Sequence, residues 1–330
     1  MKVLLVKTSS MGDLIHTLYS IEDLAKYRSD IELHWICEES FVNIPKLHPF
    51  IHKVITFSWR EYRQKLWSLK TWNTMREIRE FLVGEKYDLV IDSQGLIKSA
   101  IIASLAKAPI HGFNKDCIRE KIAVKFYTHH YHIQEKDNVI WKNRQLFSLI
   151  FNYRNQIDRN RYVANLQIPE HINLDFLDYE NFHVVVQGAS QDYKLWTKNN
   201  WQALLKKKHM DDAYPVLLTW GNEKEYEASR KIAEGLDFVY LCPKMDLIQV
   251  AKLIDLSTSV VSVDTGLLHL ANALNKPTVG IYPNSSTGNT MVENRNWEQV
   301  IGGLNSTVSV EQVYSIWNEV LKNKEISQNN

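Results

Sequence analysis

At 330 residues the chain has room for about two domains, and its 45% hydrophobic and 23% charged residues describe a globular protein. A formal net charge of +1 argues against wholesale nucleic-acid binding, so any basic surface must be local. The three cysteines, Cys37, Cys117 and Cys242, stand far apart without CxxC or Cys/His ligand spacing, and they support neither a disulfide framework nor a structural zinc site. No apolar run approaches the roughly 18 residues that span a bilayer. The run Val3 to Val6 is cut short by Lys7, too soon for a signal peptide, so a cytoplasmic location is expected.

Lys2 to Val6 reads as a buried strand, followed by the loop Lys7-Thr8-Ser9-Ser10-Met11-Gly12-Asp13 and a helical pattern of Leu14, Leu18, Ile21, Leu24 and Ala25. Such a loop sets hydroxyls, a glycine and one carboxylate at the mouth of a parallel sheet, where open α/β folds bind ligands. Asp13 reads equally as a helix N-terminal acid that complements the dipole. Ile31 to Cys37 and Val54 to Phe57 alternate like strands. Residues 59 to 79 then carry six positive side chains, Arg60 and Arg63 among them, against two negative ones, interleaved with Trp59, Tyr62, Trp67 and Trp72. That surface suits an anionic carbohydrate, a phosphate or an acidic headgroup layer; alternatively it is a solvated helix face whose tryptophans dock on the core. Tyr87 to Ile91 is a strand entering Asp92-Ser93-Gln94-Gly95-Leu96-Ile97-Lys98 and an apolar helix to Leu105, with Pro109, His111 and Gly112 beyond. Arg119, Lys121 and Lys125 add positive charge.

From Asn152 to Asn181 periodicity fades, as in an interdomain region. Phe182 to Gln187 opens a second set of elements, and its loop, Gly188 to Trp196, offers Ser190 and Lys194, the latter placed where an ammonium could neutralise a diphosphate or simply face solvent. A helix with Trp201, Leu204 and Leu205 follows, then a strand from Pro215 to Trp220 and a helix from Glu223 to Ile232, where Glu225 could meet a sugar hydroxyl pair or be plain surface. Phe238 to Leu241, Pro243-Lys244-Met245 and a helix from Leu247 to Ile254 lead to Ser259–Tyr282. That stretch reads as strand, tight turn at Asp264-Thr265-Gly266, helix, and strand from Thr278 to Tyr282. The turn places helix N-terminal N–H groups at a strand end, which favours a phosphate or diphosphate. Asp264 can cap the helix while His269 lies one turn inside it, so that both face whatever the turn holds; the alternative is a βαβ unit with an ordinary capping Asp and a half-buried His. Val310, Val313, Trp317 and Val320 mark an amphipathic terminal helix over 308–324. The order strand, Asp, Gly-Leu, helix, Pro, Gly occurs in both halves, a weak internal resemblance that suggests two similar α/β domains.

The chain has no G-x-G-x-x-G, no P-loop, no D-x-D, no H-E-x-x-H and no G-x-S-x-G. What remains is a site built from helix termini, a lysine and a few acids. Lys7 to Leu14 with His16 and Thr17, Asp92-Ser93-Gln94-Gly95-Leu96 with Lys98-Ser99-Ala100, Pro243-Lys244-Met245, and Ser262 to Gly266 with His269 resemble the bacterial ADP-heptose:lipopolysaccharide heptosyltransferases, closest to type I. The resemblance covers nearly the whole chain. It implies a GT-B fold, two Rossmann-like domains facing across a cleft, with an acceptor domain over 1–165, an ADP-sugar domain over 182–305, and a helix at about 308–325 crossing back to the first. It further implies inverting transfer of L-glycero-D-manno-heptose from ADP-heptose to a Kdo residue of lipid A, with Asp13 as base. Donor contacts fall on Ser190, Lys194, Glu225, Met245, Asp264, Thr265, Gly266 and His269; acceptor contacts fall on Ser9, Ser10, Gly12, Arg60, Arg63, Lys98 and Arg119. No metal and no cofactor is implied, ADP-heptose being a substrate, and the expected setting is the cytoplasmic face of the inner membrane, peripherally bound. Where relatives have a threonine pair before the lysine, this chain has Ala189-Ser190, one hydroxyl fewer. A type II heptosyltransferase, a nucleotide-sugar 2-epimerase of the same fold and a non-catalytic nucleotide-sugar-binding module are the alternatives.

Overall fold

The structure, a computed structural model, describes residues 1–59, 68–134, 138–158, 163–287 and 296–328. The chain divides into two units, with Val163–Gln167 still part of the first and Ile168 onward part of the second. The Gln167 amide donates to the Leu47 carbonyl at 2.7 Å and ties the end of the first unit to its body.

In the first unit β1 (Lys2–Val6), β2 (Glu32–Cys37), β3 (Ile51–Thr56), β4 (Leu89–Asp92), β5 (Ile110–Phe113) and β6 (His129–Tyr131) form one sheet in the order β3-β2-β1-β4-β5-β6, every pairing parallel. Leu5 pairs with Trp35 on one side and Ile91 on the other. A parallel strand is covered on both faces, which is why β1 is a continuous apolar run with Val3 to Val6 fully buried. The helices are α1 (Met11–Tyr27), α2 (Leu69–Gly84), α3 (Ile97–Ser104) and α4 (Val139–Ile150). Leu14, Leu18, Ile21 and Leu24 of α1 are buried, as their spacing requires.

The second unit repeats the plan with β7 (His183–Val186), β8 (Val216–Leu218), β9 (Val239–Leu241), β10 (Ser259–Val263), β11 (Thr278–Tyr282) and β12 (Glu298–Gly302), ordered β12-β11-β10-β7-β8-β9 and again all parallel. Its helices are α5 (Lys198–Asp212), α6 (Glu223–Ala233), α7 (Leu247–Leu256), α8 (Gly266–Ala273) and α9 (Val310–Gln328). Each sheet therefore has the doubly wound order in which the strand order reverses beside the first strand, between β1 and β4 and between β7 and β10.

One expectation needs correction, and four elements had no expectation at all. Helix 308–325, expected with the first domain, packs in the second: Val313, Trp317 and Val320 are fully buried in its core with Val261 and Leu204, and the Trp317 indole N–H donates to Ser259 Oγ at 2.7 Å. An apolar stripe on a helix does not say which sheet it covers; the indole–serine bond does. Elements β5, β6, α4 and β12 carried no readable pattern. Strand β6 is His-His-Tyr, and α4 interrupts its apolar face with the buried Asn143 and Arg144. Arg144 is tolerated there because its guanidinium reaches both carboxylate oxygens of Asp23 on α1, at 2.6 and 3.1 Å.

Candidate functional site

At the first switch point, β1 delivers residues 7–10 and β4 delivers residues 93–98. Gln94 joins the two loops: its Oε1 accepts from the amides of Thr8 (3.0 Å) and Ser9 (3.3 Å). Gln94 itself is held by Asp92, which is fully buried and accepts from Gln94 N (3.0 Å), Gly95 N (3.1 Å), Ser99 Oγ (2.9 Å) and Tyr127 Oη (2.7 Å). Burial pushes the Asp92 pKa up in spite of these donors, and burial likewise pushes the nearby Lys7 ammonium down. Lys7 donates its ammonium to the Ser93 carbonyl at 3.0 Å, a third tie between the loops.

Two glycines make this packing possible. Gly95 sits at φ +69°, a left-handed conformation that lets the chain turn out of β4. A Cβ on Gly112 would lie 2.4 Å from the Tyr127 ring, so only glycine lets that ring pass over β5 to reach Asp92.

Asp13 occupies the third position of α1 and accepts from the backbone amide of Ser10 (2.9 Å) and from its hydroxyl (3.1 Å). Both readings of this carboxylate therefore coexist: it caps the helix start, and it is partly exposed at the sheet mouth. Gly12 lies in the same helical turn. Lys98 Nζ donates to Ser9 Oγ at 3.2 Å, bringing two expected acceptor residues together. Arg119 is exposed and follows Ile118, whose side chain packs on Gly95. Arg60 and Arg63 lie outside the described residues.

At the second switch point, Lys194, after β7, and Asp264, after β10, form an ion pair of 2.7 Å. Asp264 could cap α8 but does not: Thr265 is the N-cap, without a side-chain cap bond, and the Asp264 carboxylate turns to Lys194. The strand order places the lysine loop beside the end of β10, so the opposite charge outcompetes the helix amides for that carboxylate. Gly266 starts α8, and His269, one turn in, is buried at 6% exposure. Glu225, at the start of α6, accepts from Gly221 N (2.7 Å) and Asn222 Nδ2 (2.9 Å), while Asn222 Oδ1 accepts from Glu225 N. It presses on Gly188, where a Cβ would lie 2.7 Å from its carboxyl carbon. Met245 is half-buried in the loop after β9, and Ser190 is exposed after β7. Among the described residues no hydrogen bond or ion pair joins either of them to the Lys194–Asp264 pair.

The sequence alone does not mark Gln94, Asp92 or Tyr127 as site residues. Gln94 and Asp92 lie in a motif that it does mark, but their part depends on β4 lying beside β1. Tyr127 is 35 positions from the carboxylate it meets.

Two tandem Rossmann-like units, each with charged groups at its switch point, define a two-domain α/β protein of the class that includes the GT-B glycosyltransferases. Residues 75–316 match glycosyltransferase family 9 (heptosyltransferase). Lipopolysaccharide heptosyltransferase 1 of Escherichia coli is 33% identical over 96% of this chain and 100% of its own length. The solved structure of E. coli heptosyltransferase WaaC with ADP superposes at a TM-score of 0.86, with 30% identity, over 97% of this chain and 100% of that one. The structure of the same enzyme with ADP-2-deoxy-2-fluoro heptose gives 0.82 and 30% identity, with all of both chains covered. The chain belongs to the heptosyltransferase family of glycosyltransferases and is an enzyme of that family.

Proposed function

We propose that this enzyme moves L-glycero-D-manno-heptose from ADP-heptose to a Kdo residue of lipid A, with inversion, at the cytoplasmic face of the inner membrane. The observation that carries the donor half is the Lys194–Asp264 pair at the start of α8, whose first turn has no side-chain cap. A diphosphate there meets an ammonium and the positive end of a helix dipole, the two groups that best stabilise a departing ADP. Relatives solved with ADP and with an ADP-heptose analogue support this reading. Asp264 and His269 orient the donor, with Ser190, Glu225, Met245, Thr265 and Gly266 as its further contacts. Leaving-group charge is met by these groups without metal or cofactor.

On the acceptor side, Asp13 takes the proton from the attacking hydroxyl, in one in-line displacement at the anomeric carbon. Its bonds from Ser10 hold the carboxylate in one place while leaving it partly exposed. Ser9, Ser10, Gly12, Lys98 and Arg119, with Arg60 and Arg63, recognise the anionic Kdo region.

The test is heptose transfer to deacylated Kdo-lipid A, read by mass shift in the presence of a chelator. Wild type should form product. Asp13→Ala should lose at least about a hundred-fold in turnover, the low end of a general base's contribution, while binding ADP as before. Undiminished turnover in that variant would remove Asp13 from the base role, and loss of product with chelator would remove the metal-free mechanism.

A further inference from the structure

We infer that the short helical segment Lys121–Phe126 on the first unit is a docking surface for an anionic lipid bilayer. The inference rests on the proposal that the acceptor is a membrane lipid. The segment reads Lys-Ile-Ala-Val-Lys-Phe and forms a 3-10 helix. Ile122 is 58% and Phe126 39% exposed, whereas Ala123 and Tyr127 are buried. Single exposed apolar residues are common on protein surfaces; here two occur four residues apart on one short segment that is held at both ends. Its far end is pinned by the Tyr127 hydroxyl on buried Asp92, and its near end by the Glu120 amide on the Gly95 carbonyl at 3.0 Å.

Charge on this face is complementary to acidic headgroups. Lys121 and Lys125 are exposed beside the apolar pair, and the neighbouring acid, Glu120, is engaged by the Ile97 amide at 2.7 Å. Apolar groups flanked by lysines sink into the headgroup boundary while the ammonium groups meet lipid phosphate, the arrangement by which interfacial segments bind. The segment also begins where Gly95, Lys98 and Ser9 form the mouth of the first switch point. A bilayer held on it would present a lipid-anchored headgroup to the residues proposed to bind the acceptor.

The experiment is vesicle co-sedimentation with phosphatidylcholine alone or mixed with phosphatidylglycerol, on wild type, Ile122→Asn/Phe126→Asn and Lys121→Gln/Lys125→Gln. Wild type should sediment with the mixed vesicles, less at high salt, and not with phosphatidylcholine alone. The lysine variant should bind on the order of twenty-fold more weakly, about five-fold per lysine, and the apolar variant at least about ten-fold more weakly. Both should keep wild-type melting temperature and wild-type turnover of the water-soluble deacylated acceptor. Wild type that ignores mixed vesicles, or variants that bind them as well as wild type, would overturn the inference. Vesicle binding lost in the variants, with no transfer by wild type to any acceptor, would retain the docking surface and refute the proposed function.

Discussion

Tyr127→Phe removes one hydroxyl 2.7 Å from a carboxylate that is wholly buried. Asp92 Oδ2 would keep only Ser99 as donor, and Oδ1 would keep the amides of Gln94 and Gly95. A hydrogen bond to a charged group contributes about 1.5–3 kcal/mol, so a loss of about 2 kcal/mol at neutral pH is expected. For a unit of this size that is a fall of about 4–8 °C in Tm, measured by calorimetry of the whole chain with attention to the first unit's transition. The pH dependence has a defined sign. Burial raises the folded pKa of Asp92 above its ordinary 3.8, whereas the Tyr127 bond opposes the rise. The folded carboxyl therefore takes its proton before the unfolded one on acidification; the resulting stability is present at low pH and lost as pH rises through the folded value. Without Tyr127 that value moves higher, so the deficit of the variant is largest at neutral pH and narrows as pH falls. Turnover should fall as well, because Gln94 and the amides of Thr8 and Ser9 are positioned through Asp92. Equal Tm at neutral pH, or a deficit that widens on acidification, would refute the argument.

Lys194→Met should weaken ADP binding on the order of ten- to hundred-fold, the worth of one hydrogen bond between charged groups; an unchanged dissociation constant by calorimetry would take Lys194 out of donor binding. Arg144→Met leaves the largely buried Asp23 carboxylate without its guanidinium and should cost about 3–5 kcal/mol in urea unfolding, while Arg144→Met/Asp23→Leu should recover much of that. His183 stacks edge-on against Trp317 and bonds Ser259 Oγ (2.8 Å) and Asp212 Oδ2 (2.9 Å). Burial holds its pKa below the ordinary 6.5 although Asp212 opposes the shift. The unfolded chain thus protonates first, so this contribution is intact above about pH 6.5 and is lost as pH falls toward the folded value. Stability of the second unit, followed by urea titration at descending pH, should therefore drop below that point, and His183→Gln should flatten the slope.

Much of the fold could be read from local pattern because parallel strands buried on both faces are apolar runs, as in Val3 to Val6 and Val260 to Val263, and because helices such as α1 carry one apolar stripe. Candidate residues at the sheet mouths were legible for a related reason. A strand that ends in a small-residue loop and a helix start places the polar groups of the loop and of the first helical turn at the strand's carboxyl end; Lys194 and Asp264 lie between strand and helix, and Asp13 lies in the first turn of α1.

One edge strand of each sheet, β6 and β12, was not legible. His129 to Tyr131 and Glu298 to Gly302 bury too little on either face to alternate, and α4 breaks its own stripe with an arginine whose partner is 121 residues away. Tertiary structure alone decided that Asp264 pairs with Lys194 rather than capping α8, that α9 belongs with the second unit, and that Gln94 and Tyr127 hold the first site together. Each of these depends on which strands are neighbours, β4 beside β1 and β10 beside β7. Neighbours in a parallel sheet are chosen by the burial of the whole sheet, over separations that no local periodicity records.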